Sequence, residues 1–94
     1  MPIQHNSYFD GKVQSLASER HGRKFSIGII SEGKHRFGTA AAERMTVVSG
    51  LLTVKIDGTD SWVAYPAGTN FEVASNSGFD VQATGDTAYQ CEYL

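Results

Sequence analysis

The sequence holds one cysteine, Cys91, two prolines, and no apolar run longer than a few residues. A single thiol has no internal partner for a disulfide, which fits a reducing compartment. A bilayer-spanning helix needs about twenty consecutive apolar residues, and nothing here approaches that length. The opening Met1-Pro2-Ile3-Gln4-His5-Asn6-Ser7 lacks the apolar centre of a signal peptide, so the expected location is cytoplasmic. Basic residues are scarce as well, eight Lys and Arg against ten Asp and Glu for a net charge of −2. They are too few and too dispersed to track a phosphate backbone, and no nucleic acid is expected as a partner. Helical patterning is nearly absent. Ala40-Ala41-Ala42-Glu43 has some helical character but is too short for more than one turn.

What is present is a folded composition, 40% hydrophobic and 19% charged over 94 residues. That length supports one domain spanning 1–94 with a small core, for which pairing into a homodimer is a common source of stability. The charge is unevenly distributed. Residues 1–44 carry seven Lys or Arg and four acids; residues 45–94 carry only Lys55 against six acids. An anionic small ligand is therefore expected to meet the first half.

Period-two alternation between turn signals runs along the chain and predicts short strands. Residues 1–7 read as a loose arm, 8–16 as a first strand around Asp10-Gly11, and 18–23 as a loop. Residues 25–30 form a strand with Phe25, Ile27 and Ile29 on one face and Ser26 and Gly28 on the other. After a turn at Glu32-Gly33, residues 34–39 put His35, Phe37 and Thr39 on one side. The centre of the pattern is a hairpin: residues 43–48 and 51–56 joined at Ser49-Gly50, with Asp57-Gly58 turning the chain again. A strand over 61–65 ends at Pro66-Ala67-Gly68, where Pro presets one backbone angle and Gly supplies a positive φ. Strands over 70–74, 79–83 and 88–94 follow, the last with Tyr89, Cys91 and Tyr93 in phase. About eight to ten short strands without a long helix predict an all-β barrel or sandwich.

Glu43 and Gly50, with six residues between them, resemble the second half of the first cupin motif (glycine, two histidines, glutamate, six residues, glycine). Tyr65-Pro66-Ala67-Gly68 resembles the proline-x-glycine turn of the second motif. More specifically, four blocks resemble the pyrimidine/purine nucleoside phosphorylase family of small single-domain cupins. They are Tyr8-Phe9-x-Gly11-Lys12-Val13, Glu43-x-Met45-Thr46-Val47-x-Ser49-Gly50, Tyr65-x-Ala67-Gly68-x-x-Phe71-x-Val73 and Cys91-x-Tyr93-Leu94, in that order across nearly the whole chain. The resemblance implies a cupin-type jelly-roll barrel acting as a homodimer. It also implies cleavage of purine and pyrimidine nucleosides by inorganic phosphate, giving free base and ribose 1-phosphate.

With Glu43 as the cupin glutamate, the metal-binding histidines belong at 37 and 39, or at 36 and 38. Phe37 and Thr39, or Arg36 and Gly38, stand there, and Phe71 replaces the histidine of the second motif. His5, His21 and His35 are not at ligand spacing from one another. No metal is expected, and inorganic phosphate is the co-substrate rather than any cofactor.

Phosphorolysis suits a barrel without metal. The anomeric bond breaks with oxocarbenium character, and phosphate arrives already charged. The protein must hold that anion beside the sugar and bear the charge that builds on the leaving base. Arg23, backed by Arg36 and Lys34, is the expected phosphate site, since a guanidinium fork matches phosphate oxygens. The plainer reading of each is a solvated edge charge. Glu43, binding ribose hydroxyls or stabilising the cationic sugar, and Thr39, donating its hydroxyl to phosphate or sugar, are the candidate catalytic residues; a surface acid and a packing threonine are the alternatives. Acceptance of both base classes calls for stacking rather than a hydrogen-bond code. Phe37, Phe71, Tyr89 and Tyr93 are the candidate walls and Gln82 an adaptable contact, although inward aromatics often only pack. Cys91 reads as buried filler. A non-catalytic cupin binding a sugar or nucleotide, or a structural dimer, stays open at this stage.

Overall fold

Ten strands and the turns between them build the protein, and the computed structural model describes residues 2–94. In chain order they are β1 (Gln4–Tyr8), β2 (Val13–Arg20), β3 (Arg23–Ile30), β4 (Gly33–Gly38), β5 (Glu43–Ser49), β6 (Leu51–Ile56), β7 (Val63–Pro66), β8 (Asn70–Val73), β9 (Gly78–Ala83) and β10 (Thr87–Tyr93). Every pairing is antiparallel. A six-stranded sheet has the order β1-β2-β3-β10-β5-β8, and a four-stranded sheet the order β4-β9-β6-β7. The chain crosses repeatedly between the sheets, so Val13, Ile30 and Val47 of one meet Leu52, Val54 and Val81 of the other in a single core. No helix is long and apolar enough to cross a membrane among the described residues.

The turns form where the sequence supplies a residue tolerant of positive φ. Gly68 at φ 90° follows Pro66-Ala67, and Thr69 N–H donates to the Pro66 carbonyl at 3.2 Å. Gly50 at φ 102° joins β5 to β6 against Thr87, whose Cα would lie 3.0 Å from any Cβ placed there. At Ala88/Tyr89 the β10–β5 register shifts, a β-bulge or similar irregularity in the ladder.

Four expectations are corrected. β5 and β6 are not a hairpin: β5 lies between β10 and β8 in the larger sheet and β6 between β9 and β7 in the smaller, and Gly50 is the corner between the two. Gln4–Tyr8 is not a loose arm but a strand, registered from Gln4↔Ala17 to Tyr8↔Val13. Main-chain pairing on the open edge of β2 holds it, with His5 Nε2 within 2.9 Å of Gln14 Oε1. The expected loop over 18–23 is mostly ladder: β2 and β3 pair to Arg20↔Arg23 and turn through His21 (φ 54°) and Gly22 (φ 75°). Two successive positive-φ residues make the tight hairpin whose twist suits the strands. Residues 40–42 form no helical turn. They pass from one sheet to the other, their carbonyls accepting from Asn76 N–H and Leu94 N–H.

Candidate active site

On β2 and β3 the usual alternation is inverted. Ser15, Ala17, Ser26 and Gly28 point inward, while Leu16, Ile27 and Ile29 face out at 54%, 46% and 56% exposure. Such short inward side chains cannot reach the opposite sheet. The space they leave is a cavity of about 340 Å³, within the ~300–1,000 Å³ range of small-molecule sites. Tyr89 fills part of it by lying over Gly28, where an added Cβ would sit 2.6 Å from the phenol oxygen. Across the cavity Phe37 stacks on Phe79 at 5.3 Å, and Phe9 meets Phe37 edge-on at 6.0 Å. Gln4, Asn6 and Tyr8 from β1 complete one side. Exposed Lys24, in phase with Ser26, lies where the cavity opens, its ammonium 5.3 Å from the Tyr93 ring centre.

The negative charge of this cavity sits at the start of β5. Glu43 is the only carboxylate on its wall among the described residues, and no Lys or Arg pairs with it. Its Oε1 accepts from Cys91 Sγ at 3.5 Å. Burial raises the Glu43 carboxyl above the ordinary carboxylate value, and the bond from Cys91 offsets part of that rise. The same burial, reinforced by the nearby Glu43 charge, pushes the Cys91 thiol up to about 12. It therefore stays protonated and is no nucleophile. Burial likewise pushes Tyr89 and Tyr93 up to about 12, so both remain hydrogen-bond donors at neutral pH. A larger hollow of about 630 Å³ lies on the outside over Leu16, Ile27 and Ile29. Its surface is mainly apolar, with His5, Lys12, Gln14 and Ser31 also on its lining, and it has the character of a contact surface.

A small-molecule cavity of this kind, inside a fold so widely shared, leaves the choice among cupin chemistries to kinship. Residues 3–93 match the pyrimidine/purine nucleoside phosphorylase family. The chain belongs to that family. A pyrimidine/purine nucleoside phosphorylase of Sorangium cellulosum is 56% identical over 92 residues, covering 98% of this chain and 99% of the relative. Another, from Vibrio parahaemolyticus, is 49% identical over the full length of both. A crystal structure of a Vibrio parahaemolyticus protein of unknown function superposes with TM-score 0.97 at 48% identity, with both chains fully covered. An RmlC-like cupin from Shewanella frigidimarina, at TM-score 0.76 and 14% identity over 97% of this chain and 82% of its own, shares the cupin fold.

Within this nucleoside phosphorylase framework the expected site residues divide. Glu43, Phe37, Tyr89, Tyr93 and Arg36 come together on the cavity wall. Arg36 is already engaged, donating to Asp57 at 2.6 and 3.1 Å and to Asp80 at 3.2 Å. These bonds raise its pKa and lower that of Asp57. Two carboxylates around one guanidinium take up its donors, a poor start for binding an anion. Arg23 and Lys34 are exposed and away from the cavity, Arg23 sharing the outward phase of Ile27. Gln82 is exposed opposite Lys34 on the outer face of the smaller sheet. Phe71 packs into the core between Tyr65 and Phe79. Thr39 is buried and occupied: its hydroxyl donates to the Ala74 carbonyl at 2.6 Å and accepts from Ser77 N–H at 3.0 Å. Lys24 and the β1 residues went unrecognised in the sequence: Lys24 is in step with Ser26, but parity alone does not say that their shared face is the one turned toward the cavity.

The metal of other cupins does not fit these residues. Phe37 and Phe71 offer no donor atom, and the Thr39 hydroxyl is spent on the backbone. Of the four ligand positions only Glu43 has a coordinating group, and among the described residues no three His, Cys, Asp or Glu converge.

Proposed function

We propose that the protein is a phosphate-dependent nucleoside phosphorylase of broad specificity, releasing purine or pyrimidine base and ribose 1-phosphate without a metal. The carrying observation is the cavity itself, in which one carboxyl sits among hydroxyls and aromatic faces in a chain of this family. Phe37, half-buried and backed by Phe79 at 5.3 Å, offers apolar ring surface to a base and makes no demand on its hydrogen-bonding edge, which suits both base classes. The pentose fits beside Glu43, Ser15 and Ser26, which supply hydroxyl and carboxyl partners to its own hydroxyls.

Phosphate is assigned to the open end, at Lys24. The ammonium has no carboxylate within salt-bridge distance among the described residues. Tyr93 and Tyr89, held protonated by burial, add neutral donors. Arg36 fixes the rim with its bonds to Asp57 and Asp80. The inside-out pattern of β2 and β3 supports the homodimer, because a second copy would cover Leu16, Ile27 and Ile29.

The test is base release from adenosine and from uridine by protein first treated with chelator. Both should be cleaved when phosphate is supplied and neither without it. Activity that chelation abolishes, or that ignores phosphate, would overturn the proposal.

A further inference from the structure

Leaving bases differ in how much help they need. When the C1′–N bond breaks, its electron pair goes to the base, which then requires a proton on a ring nitrogen or exocyclic oxygen unless it departs as a stable anion or a neutral molecule. Lys24 at the opening is better suited to phosphate than to donating that proton. Cys91, Tyr89 and Tyr93, all on the cavity wall, hold their protons too tightly to be efficient donors near neutrality. Glu43 differs from these. It is the sole carboxyl on the wall among the described residues, half-buried, unpaired with any cation, and steadied by the Cys91 thiol at 3.5 Å.

We propose, resting on the phosphorylase reading above, that Glu43 is the general acid that protonates the departing base, and that Cys91 is a positioning residue that orients its carboxyl. In the step, a phosphate oxygen of HPO₄²⁻ forms the new bond to C1′ while the C1′–N bond breaks. The Glu43 carboxyl gives its proton to the base and becomes carboxylate. The ribose 1-phosphate formed still carries the phosphate's proton, and shedding it at neutral pH returns Glu43 to the acid form through water. Burial, which raises the Glu43 carboxyl, keeps more of it protonated than a solvated glutamate would be.

The experiment compares wild type with Glu43→Gln on substrates that differ chiefly in leaving-group demand: uridine against 5-nitrouridine, and inosine against 7-methylguanosine in its cationic form. Positioned general acids contribute about 10²–10⁴-fold, so kcat for uridine and inosine should fall about a hundredfold or more. The pre-activated partners should fall less than about tenfold. Equal losses across each pair would overturn the acid role and leave Glu43 a sugar contact. If wild type cleaves none of the four with phosphate, the phosphorylase reading itself fails, which is a separate outcome. Should Glu43→Gln not fold, the wild-type rate ratio within each pair, followed against pH, replaces it. Shared phosphate ionisation cancels in that ratio. The unactivated substrate should lose ground as pH rises through the Glu43 titration, and a ratio that follows only the base's own ionisation would overturn the assignment. Cys91→Ser should preserve the discrimination and Cys91→Val should weaken it by about threefold or more; identical behaviour of the two would remove Cys91 from a positioning role.

Discussion

Glu43 illustrates how one side chain trades stability for chemistry. Its carboxyl is raised in the folded protein because burial opposes charging, so the native state binds a proton more readily than the unfolded chain. Stability from this group is fully present below the ordinary carboxylate value of about 4.5 and is lost as pH rises through the folded value. Glu43→Gln keeps an acceptor for Cys91 and removes the ionisation. Its melting temperature should therefore exceed wild type at pH 7 and converge on it near pH 4; thermal melts at the two pH values check this. Lys24 offers a second residue-scale contrast. Lys24→Ala should raise the KM for phosphate roughly tenfold, an ordinary loss for one charge-assisted contact, whereas Arg23→Ala, outward on the same strand, should change it less than twofold. Steady-state kinetics with phosphate varied decides between them, and the opposite ranking would return the anion to Arg23.

Among the strands, β1 was the hardest to foresee and matters most to the cavity. Its residues Gln4, His5, Asn6 and Ser7 carry no apolar alternation, and what orders them is main-chain pairing to β2, which a side-chain pattern does not report. The break at Gly50, the Pro66–Gly68 turn and the phase of Tyr89, Cys91 and Tyr93 were legible, because each depends on local backbone demands or on strict period two. That Gly50 is a corner between sheets rather than a hairpin was not, because the choice of partner strand is non-local. Alternation says which residues share a face, not which face turns inward. Phe25, Ile27 and Ile29 form such a set and lie outside. Gln82 was misread for the same reason, while Phe71 points inward but is sealed off by Tyr65 and Phe79. Removing residues 1–8 should leave the remaining strands folded but strip Gln4, Asn6 and Tyr8 from the cavity. The KM for nucleoside should then rise about tenfold with the far-ultraviolet circular dichroism still that of a β protein; loss of the β signal would show instead that β1 is needed for folding.

At the level of the whole molecule, the middle of β2 and β3 exchanges the usual roles of the larger sheet's two faces. Its inner side carries small and polar residues around a cavity, and its outer side carries Leu16, Ile27 and Ile29 in the open. Covering three such side chains would contribute on the order of a few kcal/mol at ~25 cal/mol per Å² of apolar surface, useful to a 94-residue chain with a small core. The proposed dimer predicts that Ile29→Asp lowers the mass measured by light scattering from that of two copies to that of one, and an unchanged mass would place the interface elsewhere. The fold, the cavity and the family all bear on one reaction, the transfer of a pentose from base to phosphate. Phosphorus NMR on a mixture of protein, uridine and inorganic phosphate follows that transfer directly. Ribose 1-phosphate should appear in step with uracil, one for one, and uracil appearing with free ribose and an unchanged phosphate signal would contradict it.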